Sequence, residues 1–159
     1  MTEPERADDT LNVMEPRANL SPNDARRCAE RAAAHLSEDP RVQLVYLFGS
    51  AMDPDRRVVR DIDLAVLTDP ALSLDELTKR QADLALATGA AIDLVSLNDA
   101  SVVLAHEVVE SGRCLYARSA DIEADFVTRT RARYWDFMPY REQQWRLAGE
   151  RLTERPRGS

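Results

Sequence analysis

Cysteine is scarce in this sequence, and the two cysteines that occur form no recognisable pair. Cys28 and Cys114 lie far apart and lack the CxxC spacing of a zinc site or a redox motif. A domain held together by disulfides and a zinc centre are therefore not indicated. Because free cysteine is among the most buried residue types, we expect both side chains to be buried free thiols.

The sequence also lacks a long apolar run and an excess of positive charge. No stretch approaches the ~20 apolar residues of a membrane span, and the opening MTEPERADDT is unlike the basic, then apolar, start of a signal peptide. The net charge is −7, from 21 Lys and Arg against 28 Asp and Glu, whereas nucleic-acid binders cluster basic residues against phosphates. We therefore expect a cytoplasmic protein that contacts neither a membrane nor nucleic acid directly.

The length and composition fit one domain with weakly structured ends. A chain of 159 residues with 44% hydrophobic content can bury a core. The ends are rich in charge and proline, which disfavours stable packing there. We predict a disordered acidic segment at 1–20, a core at 21–118, a C-terminal helical segment at 119–154 and a flexible tail at 155–159.

Apolar periodicity and capping signals predict an alternation of helices and strands. Ser21-Pro22 is a typical N-cap and first turn, and Ser73 has capping-box spacing with Glu76. The predicted elements are a helix at 21–37, strands at 42–48 and 61–66, a helix from Ser73 to a C-cap at Gly89, a strand at 91–97, a helix opened by Asn98-Asp99 and running to about Glu110, a strand at 113–117, and a helical remainder with a break near Pro139. This order predicts an α+β fold with a small mixed sheet flanked by helices.

Three aspartates form the candidate catalytic centre. Asp61 and Asp63 occupy alternate positions at the start of the second strand, and Asp93 is the one acidic residue of the third. Carboxylates at positions i and i+2 of a strand share one face, roughly 6–7 Å apart, a span that two Mg²⁺ ions can bridge. We predict that all three bind metal and act in catalysis, with Asp93 also accepting the proton of an attacking hydroxyl.

Gly49 and Ser50 stop the first strand, and ten residues separate Ser50 from Asp61. Without a Cβ, Gly49 lets the backbone approach phosphate oxygens, and Ser50 adds a hydroxyl and an amide donor. We predict that this pair binds the β and γ phosphates of a nucleoside triphosphate, so that attack on the α phosphate releases pyrophosphate. Walker A and GxGxxG patterns are absent from the sequence, so a P-loop ATPase or a dinucleotide-binding enzyme is not indicated.

The Gly-Ser, ten-residue gap and Asp-x-Asp pattern resembles that of the DNA polymerase β-like nucleotidyltransferase superfamily. Within it, the chain is similar to the minimal nucleotidyltransferases that act as antitoxins to HEPN-domain RNase toxins. The similarity extends from about Val42 to Tyr140. It includes the segments LNDA at 97–100, GRCLY at 112–116 and YWDFMPY at 134–140, which are less specific than the pattern itself.

This resemblance implies a polymerase β-like fold with C-terminal helices and a nucleotidyltransferase core. It implies that Asp61, Asp63 and Asp93 are the metal carboxylates and that Gly49 and Ser50 contact the triphosphate. The implied activity is Mg²⁺-dependent transfer of AMP from ATP to a tyrosine of a cognate HEPN toxin, in a hetero-oligomer that silences the toxin.

Two departures from the family pattern leave other functions open. Relatives commonly carry Arg-Gly where this chain has Asp53-Pro54, and Ser where it has Arg60; both differences predict weaker ATP binding. The alternatives are a catalytically weak antitoxin that neutralises its partner by binding, or transfer of a nucleotide to a small molecule such as an antibiotic. Arg56, Arg57 and Arg60 are candidate substitutes for the missing phosphate contacts.

Two further features have both structural and functional interpretations. His106 lies in a predicted helix without a second His or Cys nearby, so we expect a packed or surface histidine rather than a catalyst. Aromatic residues concentrate between Tyr134 and Trp145. They fit either a helix that closes over the core or a surface that docks a partner.

Overall fold

The sheet of this protein has four strands and is mixed, as predicted. In the computed structural model, which describes residues 19–153, they are β1 (Val42–Phe48), β2 (Asp61–Thr68), β3 (Ala91–Ser96) and β4 (Arg113–Ala117). Their order across the sheet is β3-β2-β1-β4. The β2–β3 pair is parallel, whereas β1 pairs antiparallel with both β2 and β4.

Two helices cover each face of the sheet. They are α1 (Pro22–Ser37), α2 (Leu74–Thr88), α3 (Val102–Ser111) and α4 (Ala120–Thr153). Under α1 and α2 lies an apolar cluster that includes Leu36, Leu47 and Leu64. Under α3 and α4 lies a second cluster, in which Tyr46 and Val108 are buried and Phe126 packs against them. The apolar run of β1 is therefore buried on both faces, as its lack of alternation predicts.

Local capping explains most helix ends. The Ser21 hydroxyl accepts a hydrogen bond from the backbone N–H of Asp24. Ser73 and Glu76 form both hydrogen bonds of the predicted capping box, and Gly89 ends α2 with φ +69°. These three signals are confirmed, because each depends only on residues within one turn.

The start of α3 differs from the prediction. Asn98-Asp99 does not open this helix; Ser101 is its N-cap and accepts a hydrogen bond from the Leu104 N–H over 3.1 Å. The side chain of Asn98 instead donates to the Thr68 carbonyl and accepts from the Thr68 N–H. It thereby joins the ends of β2 and β3, a contact between residues thirty positions apart that local patterns do not show.

No break occurs at Pro139, so that part of the prediction is wrong. The helix α4 runs through Pro139 as one element of 34 residues. Proline removes one intrahelical hydrogen bond and usually kinks or ends a helix. Among residues 19–153, no helix is both long and apolar enough to cross a membrane.

The boundary of the predicted N-terminal segment also shifts. Of the predicted disordered stretch 1–20, residues 1–18 lie outside the described residues, as does the predicted tail 155–159. Leu20 is only 4% exposed and forms a two-way backbone bridge with Val59. Because the Leu20 side chain packs in the apolar cluster under α1 and α2, Leu20 is part of the core.

The cysteine prediction holds only in part. Cys28 and Cys114 are free thiols, but both are half-buried rather than fully buried. Cys28 packs against the cluster under α1 and α2, and Cys114 against the cluster under α3 and α4. Burial raises the pKa of the Cys114 thiol to about 11, so this thiol stays protonated and unreactive at neutral pH.

A buried carboxylate joins α1, β1 and α2. Asp39, whose side chain is 7% exposed, pairs with Arg41 at 3.0 Å and also with Arg80. Arg41 extends the network to Glu76 at 2.9 Å. Hydrogen bonds from Arg41 hold the pKa of Asp39 below its ordinary value. A carboxylate with a lowered folded-state pKa adds stability at neutral pH and loses it as the pH falls through that pKa.

Replacing Asp39 by Asn is therefore expected to lower the free energy of unfolding by about 1–3 kcal/mol at pH 7. Since the variant lacks the titrating group, the difference from the native chain shrinks as the pH falls below about 4. Urea unfolding across this pH range measures both effects. Asp83→Asn, at an exposed position of α2, is the control and should change stability by less than about 0.5 kcal/mol. An equal loss in both variants would contradict the role of Asp39.

Candidate active site

The three predicted aspartates lie on one face of the sheet. Asp61 and Asp63 occupy alternate positions at the start of β2, and Asp93 is the third residue of β3. In the parallel β2–β3 pair, Asp63 stands directly beside Asp93. Because paired residues of neighbouring strands point to the same face, all three carboxylates face the same side. Their placement is as the sequence predicted.

The Gly49-Ser50 turn is next to this group. Phe48, the last residue of β1, pairs with Asp63, and a short 3-10 helix, Gly49–Met52, starts immediately after it. Gly49 has φ +72°. A Cβ added there would lie 3.0 Å from Asp63 Cγ and closer still to Asp63 Oδ2. The turn therefore needs glycine for two reasons: its backbone conformation and its contact with the Asp63 carboxylate.

Burial and the repulsion of like charges both act on the aspartate group. Asp63 is half-buried, whereas Asp61 and Asp93 are exposed. Burial is the main cause that raises the pKa of Asp63, and the charges of Asp93 and Asp61 act in the same direction. The backbone N–H of Ser50 faces the Asp63 carboxylate and partly offsets this rise. Bound cations relieve such repulsion between like charges.

Glu107 is a fourth acidic residue at this site, and the sequence analysis missed it. It is an exposed residue of α3, and its charge adds to those that raise the pKa of Asp63. Helical periodicity places residues on one side of α3 but does not show which side faces β2. Only the packing of α3 on the sheet brings Glu107 to the aspartates.

The carboxylates do not form a closed metal cage. Within the part of the chain that the structure describes, no three His, Cys, Asp or Glu side chains are grouped to hold one ion. This arrangement differs from a dedicated all-protein site. It suits Mg²⁺, which usually binds one or two carboxylates and completes its shell with water and substrate phosphates.

The loop that replaces the family's Arg-Gly pair has its own structure. Asp53 accepts a hydrogen bond from the Asp55 N–H over 3.0 Å and lies 3.8 Å from the Arg56 guanidinium. Arg56, Arg57 and Arg60 are all exposed. Arg56 is thus paired with Asp53. Phosphate contacts by any of the three arginines stay a prediction.

His106 is a packed residue, as predicted. Its ring stacks on Tyr134 of α4 with centroids 3.5 Å apart and planes at 6°. Its Nε2 lies 3.9 Å from Glu110, which also pairs with Arg131 at 2.6 Å. These contacts fasten α4 to α3, so the histidine has a structural role.

Comparison with known proteins decides the family. Residues 30–121, more than half of the chain, match the family described as "Polymerase beta, Nucleotidyltransferase". The protein belongs to this nucleotidyltransferase family. The match contains β1, the Gly49-Ser50 turn, and the strands that carry Asp61, Asp63 and Asp93. The predicted fold class is thereby confirmed, as is the assignment to a nucleotidyltransferase.

Relatives of this nucleotidyltransferase include a protein adenylyltransferase, MntA of Shewanella oneidensis. The two are 36% identical over 95 residues, which cover 60% of this chain and 68% of the relative. A solved structure of a tri-AMPylated Shewanella oneidensis HEPN toxin with its MNT antitoxin matches with TM-score 0.64 and 29% identity, over 77% of this chain and 97% of that chain. A toxin–antitoxin structure with AMP-PNP matches with TM-score 0.63 and 29% identity, over 81% and 98%.

Proposed function

We propose that this nucleotidyltransferase is an antitoxin that transfers AMP from ATP to a tyrosine of a HEPN-domain toxin in the cytoplasm. The observation that carries the proposal is the placement of three aspartates on one sheet face against the Gly49-Ser50 turn, within a domain of this family. The named activity of the Shewanella relative and the AMPylated toxin in the matching complex support AMP as the group and the toxin as its acceptor.

The donor set fits Mg²⁺. Asp61, Asp63 and Asp93 offer hard carboxylate oxygens, and their mutual repulsion favours a cation between them. When bound, Mg²⁺ supplies charge stabilisation at the reacting phosphate. We assign these three aspartates to the metal ions and Gly49 with Ser50 to the β and γ phosphates of ATP.

The chain's own residues then orient the reaction. Gly49 adds no Cβ between the turn and the phosphate oxygens, and Ser50 offers its hydroxyl as a donor, together with its N–H once the Asp63 carboxylate turns away from it. The tyrosine oxygen attacks the α phosphorus, the bond to pyrophosphate breaks, and Asp93 accepts the phenolic proton. Asp93 suits this role because its side chain is exposed and so accessible to a protein acceptor.

One observation favours the second candidate, a catalytically weak antitoxin that acts by binding. The Asp63 carboxylate occupies the space beside Gly49 and faces the Ser50 N–H, so it competes with a phosphate for this turn. ATP must shift this side chain to bind there. The small-molecule alternative has no such observation in its favour: among residues 19–153, those after Ser119 form the single helix α4 rather than a separate acceptor-binding domain.

Incubation of the purified toxin with this protein and ATP tests the proposal. Intact mass spectrometry is expected to show the toxin gaining one or more AMP units, with peptide mapping placing them on tyrosine. The toxin with that tyrosine changed to phenylalanine is the control and should gain none. A toxin that is bound and silenced without any gain in mass would instead establish the second candidate.

A further inference from the structure

The helix α4 extends well beyond the body of the protein. It has 34 residues, which at ~1.5 Å per residue is about 51 Å. The family match ends at residue 121, so nearly all of α4 lies beyond the residues that the family model matches. Its first half packs on the core through Ile122 and Phe126, and the Tyr134 ring stacks on the His106 ring of α3.

The second half of α4, residues 135–153, exposes large aromatic side chains. Trp135 is 69% exposed, Tyr140 58% and Trp145 70%. Their ring contacts lie within α4: Trp135 with Tyr134, Tyr140 with Phe137, and Trp145 with Arg141. Exposed tryptophans clustered on one helix are unusual for a free surface and are typical of binding sites.

These side chains form two rows along the helix. Met138 and Trp145 are seven residues apart, as are Tyr140 and Leu147, so each pair lies on one side over two turns. Leu147 is 39% exposed. The polar positions Asp136, Gln143 and Glu150 repeat with the same spacing elsewhere on the helix. Trp135, three residues before Met138, lies on the same side of α4 as the row Met138–Trp145, whereas the row Tyr140–Leu147 lies about 160° around the helix. We call Trp135, Met138 and Trp145 the aromatic surface.

A helix with this composition needs a covering surface. Isolated helices of fewer than about 12–15 residues are marginal in water, and longer ones still need favourable sequences. The second half of α4 contains Pro139 and Gly149, the two residue types that are least favourable in a helix interior. Burial of the aromatic surface against a partner would offset these costs.

The charges of this half identify the kind of partner. Residues 135–153 contain three Asp and Glu and three Arg, so their net charge is zero. Membrane-binding helices and nucleic-acid surfaces need an excess of Lys and Arg. Trp, Tyr, Met and Arg are, in contrast, the residues favoured at protein interfaces. The partner is therefore a protein.

We propose that the aromatic surface of α4 is the docking site for the toxin, laid into a groove of that protein as a helix. This inference rests on the proposed function. Transfer of AMP to a protein side chain requires contacts with the acceptor protein in addition to those with its tyrosine. The matching antitoxin structures are complexes with a toxin, in one case a HEPN toxin. The helix α4, most of which lies beyond the residues that the family model matches, can provide these contacts without altering the aspartate site.

The test compares Trp135→Glu and Trp145→Glu, both on the aromatic surface, with Leu86→Glu. Leu86 lies on α2, is 81% exposed and provides a matched control away from the aromatic surface. Titration calorimetry with a purified HEPN-domain toxin that the native chain binds should show Kd weakened at least about 30-fold by each α4 substitution. Leu86→Glu should stay within about twofold of the native chain. Kd for an ATP analogue should stay equal in all variants, because α4 contributes no residue to the predicted nucleotide site.

The outcomes separate this inference from the proposed function. Equal toxin binding by the native chain and both α4 variants would overturn the docking site and leave the AMP transfer intact. Absence of toxin binding by the native chain would overturn both. If sedimentation shows a native dimer that Trp145→Glu dissociates while toxin binding is unchanged, the surface joins two copies of this chain, and the docking site is wrong.

Discussion

Replacing Asp61 and Asp63 together by Asn is expected to lower kcat/KM for AMP transfer to the toxin by at least about a thousandfold. Asparagine keeps the size of aspartate but removes both charges, and charge stabilisation of the reacting phosphate is commonly the largest part of such catalysis. Initial rates of AMP incorporation from labelled ATP measure the loss.

The same double substitution should not destabilise the fold. Burial is the main cause that raises the pKa of Asp63, and the charges of Asp93 and Asp61 add to it, so the three carboxylates repel one another. Removing two charges should therefore leave Tm unchanged or raise it in the absence of metal. Asp83→Asn, on the exposed part of α2, is the control and should keep full activity. Undiminished labelling by the double variant would refute the assigned mechanism, and a large drop in Tm would show that the loss of activity reflects unfolding.

Gly49→Ala is expected to reduce AMP transfer about a hundredfold and to destabilise the fold by about 1–3 kcal/mol. The new Cβ would overlap the Asp63 carboxylate and force it to turn, or force the turn to move away from β2. The positive φ of +72° adds backbone strain for any residue with a Cβ. Transfer rates and urea unfolding of the same preparation measure the two effects.

Gly89→Ala is the matched control for this substitution. Gly89 also has a positive φ, +69°, but a Cβ added there meets nothing within 4 Å. Alanine at position 89 should therefore strain the backbone about as much as alanine at position 49, but it causes no steric clash. Gly89 also lies at a helix end that carries no site residue. We expect a stability loss of about 1–2 kcal/mol with unchanged AMP transfer. If both glycine variants lost activity equally, the contact between Gly49 and Asp63 would not matter for catalysis.

Features set by neighbouring residues were predictable from the sequence. The caps at Ser21, Ser73 and Gly89 each depend on residues within one helical turn, and the structure has all three. The shared face of Asp61 and Asp63 follows from the two-residue period of a strand. Their register with Asp93 depends on the pairing of the second and third strands, which the structure shows to be parallel neighbours.

Features set by distant contacts were not predictable in this way. Asn98 looks like a helix start, but its amide binds Thr68 instead. Glu107 carries no local sign that α3 turns it toward Asp63. Pro139 predicts a break by its chemistry, yet α4 continues through it. The assignment of the aspartates, Gly49 and Ser50 to metal and phosphates, and the four-part division of the chain, stay predictions.

The central claim is that the aspartate face and the Gly49-Ser50 turn together form a Mg²⁺-ATP site. Titration calorimetry of the full chain with a non-hydrolysable ATP analogue, in Mg²⁺ and in chelator, tests it most directly. The account predicts that the native chain binds the analogue in Mg²⁺ and that Kd weakens at least about 30-fold in chelator. The variant with both Asp61→Asn and Asp63→Asn should show an equal loss of affinity in Mg²⁺. Equal affinity of the native chain with and without Mg²⁺, retained by the double variant, would contradict it.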